Sequence, residues 1–168
     1  MNNKQLWKSL KAGLKSYGDF QWEVGKWYKC EGDVKACKNG FHASKNIIDA
    51  MNYVSMECLA EVEVRGNSDK SESDKEAWSE MKIIRAWKWK KKDSVALSIY
   101  AAELCIENFE KVYPDDNRPR KAIEAAKKWL ENPTEKNRSA AWSAAGKRIP
   151  QDLHNWIVKR TEQLEIII

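Results

Sequence analysis

The sequence predicts an α+β fold: a small mixed or antiparallel sheet with one or two helices over residues 1–93, then a four-helix portion over 94–168, the two sharing one core. Three observations carry this. "CLAEVEVRG" alternates apolar and charged residues with the period of a half-buried strand. From Ser94 onward the apolar spacing changes to 3.6, which is helical. Hydrophobic residues form 42% of the 168 residues and nine are Trp, enough large apolar groups for a core despite 33% charged residues.

Taken in order, "KQLWKSLKAGLKSY" places Leu6, Leu10 and Leu14 at intervals of four and reads as a short helix, weakened by Gly13. "FQWEVGKWYKCEGD" reads as a hairpin turning at Gly25, since aromatic and branched residues suit a pleated surface. Asn39-Gly40 is a turn. Ser44 then stands as helix cap ahead of Ile47, Ile48, Met51 and Val54, predicting a helix over about 45–54. The strand at 58–65 ends at Gly66, "NSDKSESDKEA" is an exposed loop, and "MKIIRAWKWK" is a second strand pairing with the first. Helices follow over about 94–112 and 118–131, the second with Pro119 in its first turn, where the missing N–H costs nothing. A third helix starts from Thr134 and runs to Gly146, rich in alanines. A fourth begins near Pro150 and leads into the terminal "EIII".

Composition excludes several classes. No apolar run approaches the roughly 20 residues of a membrane helix, and "MNNKQLWKSL" lacks the apolar stretch of a secretion signal, so a cytoplasmic address with reduced cysteines is expected. The net charge of +5 permits contact with nucleic acid or an acidic protein without requiring it. Most of the basic excess lies in residues 1–93.

"CKNGFHAS", Cys37 to Ser44, puts a thiol, a turn glycine, an aromatic ring and one of two histidines into eight residues. The preferred reading is structural: Asn39-Gly40 makes the turn, Phe41 enters the core, Ser44 caps, and His42 satisfies the backbone. A zinc site from Cys30, Cys37, His42 and Cys58 has ligand types that zinc favours but none of its usual close pairs, so no metal is expected. Asp115-Asp116-Asn117 caps the second long helix; one short acidic turn lacks calcium's 6 to 8 oxygens. In "WKWKKK", Trp87 and Trp89 have the chemistry to stack on bases while Lys88, Lys90, Lys91 and Lys92 neutralise phosphates. The plainer alternative is a strand that buries both indoles and ends in a solvated lysine run.

Two stretches resemble known families. "FQWEVGKWYKCEGDVKACKNGFHAS" followed by "AEVEVRG" resembles a domain of unknown function common in phages and prophages, with the pattern E-V-G-K-x-Y, C-x-x-G-F-H-A-C/S and E-V-x-V-x-G. "YPDDNRPRKAIEAAKKWL" resembles the start of an alanine-rich helical family of immunity proteins of bacterial toxin systems, without that family's later histidine-rich helices. The resemblance implies a phage accessory protein, non-enzymatic and without cofactor, that binds a host or competitor protein as an inhibitor of host defence or an immunity-like factor. Partner surfaces favour aromatic residues, which makes Trp78, Trp87, Trp89 and Trp142 contact candidates along with Lys88 and Lys90 to Lys92. The order strand, polar turn, helix, "EVEV" strand is also similar to a degenerate ADP-ribosyltransferase-like core. That likeness implies roles for His42, Ser44 and Glu61 or Glu63, with Lys11 where the usual opening Arg or His would stand.

Overall fold

The computed structural model describes residues 4–133 and 157–167. Within them the chain is mixed α+β, built on an open six-stranded antiparallel sheet. It divides into two compact units, Met1–Trp89 with Trp156–Ile168, and Lys90–Asn155. The first unit thus regains C-terminal residues that the sequence pattern groups with the helices.

The spine of the sheet is a pair of long strands, β4 (Cys58–Asp69) and β5 (Glu76–Lys88), antiparallel over most of their length. The alternation of residues 58–65 sends Ala60, Val62 and Val64 into the core, all fully buried. Gly66 does not end the strand. It sits at positive φ (83°) in a bulge, where a Cβ would come within 2.3 Å of Ser79 Oγ, and that hydroxyl accepts a hydrogen bond from the Asn67 N–H at 2.9 Å. Pairing resumes beyond the bulge, so the loop shrinks to residues 70–75.

On the far edge of β4 lies β1 (Lys4–Leu10), where a helix is expected from the sequence. A spacing of four is both one helical turn and two strand periods, so Leu6 and Leu10 line one face either way. Strand period also places Lys8 on that buried row, between the two leucines. The free edge of β5 is shared by three short strands in succession: β3 (Phe41–Ala43) at residues 76–78, β2 (Trp27–Lys29) at 80–82, and β6 (Ile166–Ile167) at 86–87. The expected hairpin around Gly25 is therefore absent. The chain turns at Gly25, but both flanks attach to β5, Val24 through a single bridge to Ile83. Phe20, Trp22, Tyr28 and Phe41 pack edge to face or tilted, centroids 5.0 to 5.7 Å apart.

The expected helix at 45–54 is a single turn, α1 (Ile47–Ala50), and its cap is Asn46, whose side chain accepts from the Ile48 N–H at 2.9 Å. Ser44 is spent elsewhere: its N–H and C=O exchange two 2.8 Å hydrogen bonds with Trp7.

In the second unit, α2 (Lys91–Val112) and α3 (Arg118–Glu131) pack through Ile99, Ala102, Ile106, Ile123 and Ala126. The first helix begins three residues before the expected Ser94, because the buried Asp93 carboxylate accepts from the Lys90 N–H at 2.9 Å. As expected, the acidic turn caps α3: Asp116 accepts from the Arg118 N–H, and the Arg118 guanidinium holds its carboxyl down to about 2. The expected alanine-rich helix from Thr134 to Gly146 and the expected start of the next near Pro150 lie outside the described residues. Residues 157–161 are helical before β6.

Candidate functional site

A cavity of about 630 Å³ opens in the first unit beside the Cys37–Ser44 motif, within the range typical of small-ligand sites. β1 contributes Trp7, Lys8 and Ser9; the motif contributes Cys37, Gly40 and His42. Tyr53, from the segment after α1, and Lys75, at the entry to β5, also line it. Ser16, Tyr17 and Trp22 belong to the same lining.

The motif's local geometry follows from its sequence. Residues 35–39 fold back on themselves through paired hydrogen bonds between Lys35 and Asn39, with Cys37 at positive φ. Gly40 passes so near the neighbouring strand that a Cβ would stand 3.2 Å from the Trp78 carbonyl and 3.1 Å from Val34 Cγ1. His42 then ties the loop down: its Nε2 accepts a hydrogen bond from the Cys37 N–H at 3.0 Å. An accepting Nε2 carries no proton, so the imidazole is the neutral Nδ1-protonated tautomer. Burial, then the nearby Lys8 and Lys75 charges, lower its pKa, and hydrogen bonding to the Gly40 carbonyl offsets part of this. The histidine anchors the loop, and its one lone pair is committed there.

Lys8 is the unusual group. Its Nζ donates to the His42 carbonyl at 2.7 Å and lies 5.8 Å from the centroid of the Trp22 ring. No carboxylate among the described residues pairs with it, and burial lowers its pKa to about 8. The Trp22 indole is 2% exposed, and its Nε1–H has no acceptor among the described residues. The described lining includes two further lysines, Lys38 and Lys75, and no Asp or Glu. Lys75 lies 4.2 Å from the Tyr53 ring centroid, and the Tyr53 hydroxyl donates to Asp74. The cavity is thus cationic and rich in donors, with aromatic walls.

Of the residues weighed for catalysis, His42 and Ser44 line this cavity, and of the weighed zinc ligands, Cys37 and His42 do. Glu61 and Glu63 lie on β4 away from it. Glu61 pairs with Arg85 at 2.7 Å and accepts from Gln5; Glu63 pairs with Lys82 at 2.7 Å. Lys11 pairs with Asp19 at 3.4 Å and does not line it either. The carboxylate of an ADP-ribosyltransferase-like arrangement is therefore not brought to the motif. No three His, Cys, Asp or Glu side chains gather at metal-binding separation among the described residues; Cys58 is buried in the core.

The aromatic contact candidates are corrected by burial. Trp78, Trp87 and Trp89 are 8%, 4% and 4% exposed. Trp78 belongs to the core cluster, and Trp87 stacks against Trp7 with centroids 6.1 Å apart, so these indoles are not displayed. The run "WKWKKK" takes its plainer form. Lys88, Lys90, Lys91 and Lys92 are exposed at the end of β5 and the start of α2, around buried tryptophans. Trp142 lies outside the described residues.

Sequence reasoning missed Lys8, Tyr17, Trp22, Tyr53 and Lys75 as site residues. One signal for Lys8 was present: a lysine midway between Leu6 and Leu10 falls on the inward row once the segment is read as a strand. Tyr53 and Lys75 carry no such signal, because only the turn of the fold brings them to the motif.

Among the described residues no helix is long and apolar enough to cross a membrane. No curated protein and no solved structure matches the chain. Residues 4–93, which contain the whole cavity lining, match the family described as Domain of unknown function (DUF7666), and the chain belongs to that family.

Proposed function

We propose that the first unit is a binding domain for a small organic anion, held at Lys8. What carries this reading is a lysine ammonium partly buried in an aromatic-walled cavity with one carbonyl acceptor and no described carboxylate partner. Such an ammonium is costly in a folded chain, and an anion entering the cavity neutralises it. At neutral pH a lysine titrating at about 8 is still mostly protonated and so competent to bind an anion. The Trp22 ring supplies an aromatic wall beside the ammonium in the same lining. The reading is one of binding, since the neutral, engaged His42 has no free lone pair to act as a base.

The test is titration calorimetry of phenyl phosphate with the full chain at pH 7. Saturable binding that falls at least tenfold in Lys8→Met supports the proposal. Equal binding by the two proteins, or none by either, overturns it.

A second reading is a phage-encoded protein in the host cytoplasm that inhibits a host defence protein or confers immunity. It is favoured by the motif resemblance and by the exposed lysines 88 and 90 to 92. Reversing those four charges to Glu should abolish partner inhibition if this run is the contact surface; unchanged inhibition would exclude the run.

A further inference from the structure

The aromatic side chains of the cavity lining are not equivalent. Trp22 and Phe41 are committed to the interlocked cluster with Phe20 and Tyr28, and Trp7 stacks on Trp87. Among the described residues Tyr17 has no such ring partner. It is 85% exposed although it lines the cavity, on a short 3-10 turn (Tyr17–Asp19) that contains left-handed Gly18 and Asp19 and follows left-handed Gly13 and Leu14. Tyr53, in the same lining, is 41% exposed, with Lys75 against its ring.

A tyrosine ring left almost wholly in water at the rim of a cavity has a π face available to a planar partner, and a nucleobase stacks well on such a ring. The charged donors lie in the same cavity: Lys8 beside Trp22, and Lys75 against Tyr53. One molecule that uses both features needs a planar ring at one end and an anionic group at the other. Phosphate fits the anionic end, because it offers several oxygens to the spare N–H donors of Lys8. The described lining offers no carboxylate that would repel it.

From this placement we infer that the ligand is a mononucleotide, its phosphate held by Lys8 and its base stacked on Tyr17 at the rim. This rests on the anion-binding reading above and narrows it. Tyr17 becomes the residue that selects ring-bearing phosphates from phosphates at large.

The experiment compares AMP, ribose 5-phosphate, inorganic phosphate and adenosine by titration calorimetry on the full chain, in the wild type, Tyr17→Ala, Tyr17→Phe and Lys8→Met. The inference predicts that AMP binds at least tenfold more tightly than ribose 5-phosphate, that Tyr17→Ala removes most of that difference, and that Tyr17→Phe keeps it. Tyr17 is a surface residue, so these variants fold. If AMP, ribose 5-phosphate and inorganic phosphate bind alike and all depend on Lys8, the nucleotide inference fails while the anion reading stands. If adenosine binds as tightly as AMP and Lys8→Met changes nothing, both fail. Binding of none of the four overturns the inference.

Discussion

Two neighbouring rows of the sheet treat a buried charge in opposite ways. On β4, Glu61 is 6% exposed and fully provided for, with the Arg85 guanidinium donating through two nitrogens at 2.7 and 2.9 Å and the Gln5 amide donating as well. Glu76 and Asp93 follow the same rule: Glu76 accepts from Trp78 Nε1 and lies 3.4 Å from Lys45, and Asp93 closes the cap of α2. On β1, the partly buried Lys8 has a carbonyl and an indole face and, among the described residues, no carboxylate. The difference teaches which buried charges are architecture. Where the chain needs a charge for its own fold it supplies the counter-charge; at Lys8, where it supplies none among the described residues, the proposed anion would do so.

Removing Glu61 should have the largest effect. Glu61→Ala takes away the acceptor for Arg85 and Gln5 and leaves a void on the sheet, and a loss of about 3 kcal/mol is expected in urea unfolding. Phenyl phosphate binding should be unchanged at temperatures where the variant is folded.

Lys8→Met should act in the opposite direction. The methionine fits the apolar row between Leu6 and Leu10 and removes the desolvated ammonium, so the ligand-free protein should gain about 1 to 2 kcal/mol while losing anion binding. A loss of stability as large as that of Glu61→Ala would erase the contrast between the two rows.

The pH dependence sharpens it further. Lys8 titrates at about 8 in the folded chain against an ordinary 10.5, so between those values the unfolded chain binds the extra proton. By linkage, stability from this group rises with pH across that window, by up to about 3 kcal/mol, and is lowest below pH 8. The wild type minus Lys8→Met difference should show this rise. It isolates Lys8 from Tyr53, whose raised pKa acts in the opposite sense above pH 10.

His42 gives the smallest expected effect. His42→Ala removes the acceptor of the exposed Cys37 N–H, which water can replace, and should cost about 0.5 to 1 kcal/mol. Because its folded pKa lies below the ordinary 6.5, the wild type loses stability as pH falls from 6.5 through the folded value, where the unfolded chain protonates first. His42→Ala should flatten that acid limb in a pH series of urea unfolding curves.

Much of the fold was legible in periodicity. The β4 and β5 pair and helices α2 and α3 each carry enough repeats of one period to be read locally. The first strand was not, because leucines four apart satisfy both periods and only the tertiary partner, the free edge of β4, decides. The hairpin around Gly25 failed for a related reason: aromatic residues at 20, 22, 27 and 28 specify a pleated surface but not which strand they pair with. At the site, the motif's structural role could be read from Asn39, Gly40 and His42, whereas the cavity could not. Lys8, Tyr17, Tyr53 and Lys75 lie up to 67 residues apart and meet only because β1, the 3-10 turn, the segment after α1 and the start of β5 converge on the motif.

The central claim, that Lys8 is a desolvated cation awaiting an anion, is tested most directly by the titration of its own side chain. With lysine ¹³Cε shifts assigned by comparison with Lys8→Met, the account predicts a midpoint near 8 in the ligand-free protein, moving upward when AMP is added to saturation. A midpoint at the ordinary value of about 10.5 that AMP leaves unmoved would contradict it.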